Sequence, residues 1–86
     1  MKYWIATYET FTGGNGTDQK LLFKTAGATI QNRIRSYFKD FFGPKTQETA
    51  DLVFEGFDYG VRVKGYEELT KKEFDILRKH IPEAMI

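Results

Sequence analysis

The sequence predicts an α+β domain: a two-layer arrangement in ββαββα order, with a four-stranded, mainly antiparallel sheet and two helices on one face. Three observations predict it. Residues 2–11 are dense in aromatic and β-branched types, residues 28–42 switch to a helical period, and two more strand-like runs precede a second helical stretch. With 86 residues, 13 Lys plus Arg and 12 Asp plus Glu, the chain suits a single small domain over residues 1–86. Hydrophobic residues make up 41% and aromatics 16%, which excludes disorder of the whole chain.

The first strand, Lys2 to Phe11, enters a glycine-rich connection from Thr12 to Asp18, Thr-Gly-Gly-Asn-Gly-Thr-Asp. The second, Lys20 to Thr25, places Leu21 and Phe23 on one face and Lys20, Leu22 and Lys24 on the other, completing a long-looped hairpin. Ile30, Ile34, Tyr37, Phe38 and Phe41 then recur with helical spacing, while Asn32, Arg35, Ser36 and Lys39 gather on the opposite side. Thr29 or Thr25 is the expected N-cap, and Gly43-Pro44 the stop, of a helix over about 28–42. Residues 45–50 read as a polar link and 51–55 as a strand with Leu52 and Phe54 inward. After a turn over 56–60, Val61 to Tyr66 alternates, with the valines on one face and Arg62, Lys64 and Tyr66 on the other. Thr70 and Glu73 have capping-box spacing, and Leu69 and Phe74 that of a hydrophobic staple. The last helix therefore starts at Lys71, carries Phe74, Leu77 and Ile81 on one stripe and stops before Pro82, leaving a tail over 83–86 that frays or tucks against the core.

Catalytic constellations are weak. Cysteine is absent, which removes disulfides, thiolate chemistry and Cys-based zinc sites. The single serine, Ser36, and the single histidine, His80, fall on different helices, and His80 is explained by the favourable placement of a cation near a helix C-terminus. Asp51, Glu55 and Asp58 are the one acidic cluster near a strand, but Arg62 stands where a hairpin nuclease needs a second acid before Lys64. Gly13-Gly14-Asn15-Gly16 lacks the Lys-Ser/Thr and helix start of a phosphate loop. No catalytic residue, cofactor or metal is assigned, and the expectation is a non-enzyme.

Charge is uneven along the chain. Residues 19–39 hold five bases and no acid, and residues 46–60 four acids and no base. The sheet face away from the helices is expected to carry Lys20, Leu22, Lys24, Arg62, Lys64 and Tyr66, joined by Trp4 and Tyr8 or by Tyr3 and Thr7. Trp4, Tyr8, Lys24, Arg62, Lys64 and Tyr66 are the candidate contact surface, with Arg35 and Lys39 as a second. Such a surface suits a protein partner. It is also the type on which RNA or single-stranded DNA stacks, although a net charge of +1 is low for a dedicated nucleic-acid binder.

No stretch approaches the roughly 18 apolar residues of a membrane span, and Met1 to Ala6 lacks the apolar run of a signal peptide, so a cytoplasmic location is expected. In size and composition the chain resembles the small, cysteine-free proteins of phages and mobile elements, many of which block a host or competitor protein. That likeness implies an inhibitor and transfers no residues. The oligomeric state is not set by the sequence.

Overall fold

The computed structural model describes residues 1–12, 15–56 and 59–85. Its elements are β1 (Lys2–Thr12), β2 (Asn15–Thr25), α1 (Ile30–Phe42), β3 (Gln47–Ala50), β4 (Val53–Glu55), β5 (Gly60–Leu69) and α2 (Lys71–Leu77). The strands form one antiparallel sheet in the order β2-β1-β5-β4-β3. The fold is α+β with five strands rather than the expected four, in the order ββαβββα. The additional strand, β3, lies in the stretch expected as a polar link. Being short and at the sheet edge, it needs no apolar alternation to hold its place.

Two connections are tighter than expected. Thr12 pairs with Asn15, so most of the presumed Thr12–Asp18 loop is strand; Gly13 and Gly14 lie outside the described residues. Ala50 pairs with Val53 across the turn Asp51–Leu52, so the strand expected over 51–55 starts at Val53. Leu52 has φ 55°, a left-handed conformation that costs a non-glycine residue about 1–2 kcal/mol. It is held from three directions. Its N–H donates to Glu48 Oε2 at 2.9 Å, its carbonyl accepts from the Val63 N–H at 3.0 Å, and its side chain is buried in the core.

Side chains alternate across the sheet. Trp4, Ala6 and Tyr8 of β1 face α1, where Leu21, Phe23, Phe54 and Val61 meet Ile30, Ile34 and Phe38 in the main core. Tyr3 points the other way, its ring 4.9 Å from that of Phe74 in α2. Lys24, opposite Tyr3 in β2, lies over the same Phe74 ring at 5.5 Å. The helices therefore sit on opposite faces of the sheet, not together on one. The reason lies in β1 and β2, which are apolar on both sides: Trp4, Ala6, Leu21 and Phe23 need one cover, and Tyr3, Ile5 and Leu22 need another.

Both helix starts follow the sequence. Thr29 Oγ1 accepts from the Asn32 N–H at 3.2 Å, and Gly43, at φ 97°, closes α1 by donating to the Lys39 carbonyl at 2.9 Å. Thr70 and Glu73 form the reciprocal capping box, with bonds of 3.1 and 2.9 Å. α2 ends at Leu77, earlier than the stripe to Ile81 suggests. The His80 and Ile81 N–H groups both turn back to the Leu77 carbonyl, so the apolar spacing continues through turns instead of helix. The tail tucks in. Leu22 N–H donates to the Pro82 carbonyl and Ala84 N–H to the Leu22 carbonyl, at 2.9 and 2.8 Å, laying residues 82–84 parallel to β2 along its outer edge. Arg33 of α1 anchors the Ala84 carbonyl at 3.2 Å. Among the described residues, no helix is long and apolar enough to cross a membrane.

Because Thr70 satisfies the first turn of a helix whose main buried anchor is Phe74, Thr70→Ala is expected to cost about 1 kcal/mol. Thermal melting followed by circular dichroism checks this through a drop of roughly 4–8 °C.

Candidate functional site

The expected contact surface divides between the two faces of the sheet: alternation along β1 sets Trp4 and Tyr8 on the face opposite Lys24, and one irregularity in β5 parts Tyr66 from Arg62. Between Thr7 and Tyr8 the β1–β5 register shifts: Thr7 pairs with Gly65 and Tyr8 with Val63, leaving Lys64 as an extra residue. Strict alternation would keep Arg62, Lys64 and Tyr66 together. The bulge instead turns Tyr66 toward α1 and leaves Arg62 on the far face, opposite Glu9.

Trp4, Tyr8 and Tyr66 thus belong to the α1 side. Trp4 donates its indole N–H to Thr25 Oγ1 at 3.0 Å and meets Tyr66 edge-on at 6.1 Å. Tyr66 Oη accepts from Gln31 Nε2 at 2.7 Å. These two rings line an open cleft of about 570 Å³ between the start of β1 and the β2–α1 connection, with their polar tips already engaged. Tyr8 is buried against Phe38, its hydroxyl donating to Gln19, and burial pushes its phenol above the usual value, helped by Tyr37.

The basic candidates are each matched by a carboxylate. Lys24 lies 3.5 Å from Glu83. Lys64 lies 3.0 Å from Asp18 and 3.9 Å from Glu9, and Arg62 lies 4.0 Å from Glu9. On α1, Arg35 places Nε 3.0 Å from Glu48 and Nη2 2.7 Å from Asp51, while Lys39 reaches Glu48 at 4.0 Å. Arg35 and Lys39 of the basic block are therefore partnered within the chain by Glu48 and Asp51 of the acidic one. For Glu48, burial raises the carboxyl pKa, but the Leu52 N–H and the Arg35 guanidinium outweigh it and hold the group below its ordinary value.

Of the acidic candidates, the structure describes Asp51 and Glu55, the latter exposed at the end of β4. Asp51 is engaged with Arg35, Asp58 lies outside the described residues, and no group of three His, Asp or Glu among the described residues is placed to hold an ion. Ser36 and His80 are both exposed, one on α1 and the other beyond α2.

Phe41, expected on the apolar face of α1, is instead exposed and belongs to an aromatic cluster at the C-terminal end of that helix, a candidate site that the sequence reading did not single out. Phe42 stacks on Tyr59 at 4.2 Å, and the Tyr59 hydroxyl lies 2.6 Å from Thr46 Oγ1. Phe41 stacks on Tyr37 at 5.8 Å and meets Phe42 edge-on at 5.1 Å. Tyr37 in turn packs edge-on against the buried Phe23 at 5.6 Å. An unbroken set of rings thus runs from the core to the surface, where Phe41 remains 59% exposed. Adjacent Phe41 and Phe42 lie about 100° apart on a helix, so together with Tyr37 and Phe38 they make the apolar face wider than a single stripe and set one ring at its margin.

Comparison with protein families, characterised proteins and solved structures finds no match for this chain.

The Glu48 network makes a pH prediction. Its folded pKa lies below the ordinary 4.5, so its stabilisation is complete above about that pH and is lost as pH falls through the folded value. Chemical denaturation between about pH 6 and pH 3 is expected to show a shallower acid-side loss in Glu48→Gln than in the parent. An identical slope would remove Glu48 from the acid response, leaving Glu73, which the Thr70 N–H also holds below its ordinary value.

Proposed function

We propose that this chain is a non-enzymatic binding module that docks on a protein partner through the aromatic end of α1 and acts by covering the surface it occupies, as an inhibitor does. The observation that carries this reading is Phe41, an exposed ring braced by Tyr37 and Phe42. Bracing matters because a side chain already ordered before contact loses less freedom on binding. Lys39, Asp40 and Lys45 are exposed beside it in the chain, a polar surround for an apolar centre.

The alternative, RNA or single-stranded DNA on a basic-aromatic face, has less physical support. Trp4 and Tyr66 lie on the opposite side of the sheet from Arg62, and the basic candidates have carboxylates within 4.0 Å. Base stacking and phosphate contact need those groups on one surface.

Affinity capture from a lysate of the native source, with nuclease added, tests the proposal by comparing the parent with Phe41→Ser and with Ile76→Ser, a second exposed apolar residue on α2. Loss of a central aromatic anchor is expected to weaken capture by about 30-fold, with an unchanged melting temperature. Ile76→Ser should capture as the parent does. Equal capture by Phe41→Ser, or capture abolished by nuclease, refutes the assignment.

A further inference from the structure

The cleft between the start of β1 and the β2–α1 connection takes no part in the binding role proposed above. Ile30, which lines it, and Phe41 are separated by eleven residues of α1, a distance of about 16 Å along the helix. The cleft is open because its connection is built of small residues. Ala26, Gly27 and Ala28 line it with almost no side chain, and a Cβ at Gly27 would meet nothing within 4 Å. The rings of Trp4 and Tyr66 and the buried Ile30 supply its apolar surface.

We propose that this cleft binds small aromatic carboxylates, with the ligand's ring against Trp4 and Tyr66 and its carboxylate on the Lys2 ammonium. The rings are set in place before any ligand arrives. Thr25, 5% exposed, accepts the Trp4 indole N–H, and Gln31 donates to the Tyr66 hydroxyl, so neither ring has to be ordered on binding. With those tips engaged, what the two residues chiefly offer a ligand is ring surface, which suits an aromatic partner.

The charge of the ligand follows from what lines the cleft. Lys2 does, and no acidic side chain does among the described residues; Glu68, opposite Trp4 in β5, is not part of the lining. Lys24, Arg35, Lys39, Arg62 and Lys64 each have a carboxylate within 4.0 Å, whereas Lys2 has none among the described residues. The backbone N–H groups of Gly27 and Ala28 also lack a backbone partner, and a carboxylate, which only accepts, can use such donors. A cationic ligand would find the same rings but would meet Lys2 with no counter-charge beside it.

Trp4 is the single tryptophan of the chain, so its fluorescence reports on the cleft directly. Phenylacetate, phenylacetamide and phenethylammonium share one ring and differ in charge. Titration is expected to give a saturable change with a Kd of about 1 mM for phenylacetate and binding about tenfold weaker for phenethylammonium, the amide falling between them. In nitrogen-15 NMR spectra the amides of Gly27 and Gln31 should shift with the same saturation. K2E, at an exposed position, is expected to reverse the order of the two charged probes, and K2Q to level them. Phe41→Ser should bind phenylacetate as the parent does, so failure of this site and failure of the Phe41 surface are seen separately. No saturable change up to about 20 mM phenylacetate, equal affinity for the three probes, or an order unmoved by both Lys2 variants overturns the inference. Tighter binding of phenethylammonium by the parent overturns it equally and gives the cleft to cations.

Discussion

β1 is the constraint on which the rest of the structure depends. It pairs along nearly its whole length with β2 on one side and with β5 on the other, and each helix leans on it from a different face, α1 through Tyr8 and Phe38 and α2 through Tyr3 and Phe74. Its sequence meets that demand by being apolar in both parities. At its far end Phe11 lies across Gly60, where a Cβ would overlap the ring, so the first glycine of β5 answers to a β1 side chain. The Thr7/Tyr8 irregularity lets two strands of different composition each present a coherent face despite one residue of mismatch.

What could be read from the sequence were features decided locally. Caps, the helical stripe of α1, the inward placement of Leu21, Phe23, Leu52, Phe54 and Val61, and the α+β class all follow from spacing within about ten residues. What could not be read depends on partners remote in the chain. The bulge becomes visible only when β5 is counted against β1, and it separates Tyr66 from Arg62. β3 is a polar segment whose strand character comes from β4 and from Arg35 across the fold. The placement of the helices on two faces turns on whether Tyr3, Ile5 and Leu22 count as a second apolar surface, which periodicity alone does not decide. Of the candidate residues, Arg35 and Lys39 do come together, but with Glu48 between them.

That last arrangement alters how the charge pattern is understood. Arg35 and Lys39 of the basic block close on Glu48 and Asp51 of the acidic one, and Glu48 also holds the left-handed Leu52 through the Leu52 N–H. Ion pairs this near the surface add little stability one by one. Their larger effect is to flatten the field outside the molecule. Under the binding role proposed above, recognition would rest on shape and apolar contact, with an on-rate expected to respond weakly to ionic strength.

The pairing of β1 with β5 also has a kinetic consequence. β1 is synthesised before the strands on either side of it, yet the neighbour that completes it, β5, pairs with it from 49 to 66 residues downstream, and the tail that partly closes β2 comes later still. During synthesis the β1–β2 hairpin must wait with both of its apolar faces and both of its edges unsatisfied. Closing so long a loop before most of the sheet can form makes this a topology of high contact order, slow to fold for its size. Until β5 arrives, Glu9 stands on the open β1 edge of that waiting hairpin as a charge that discourages premature association.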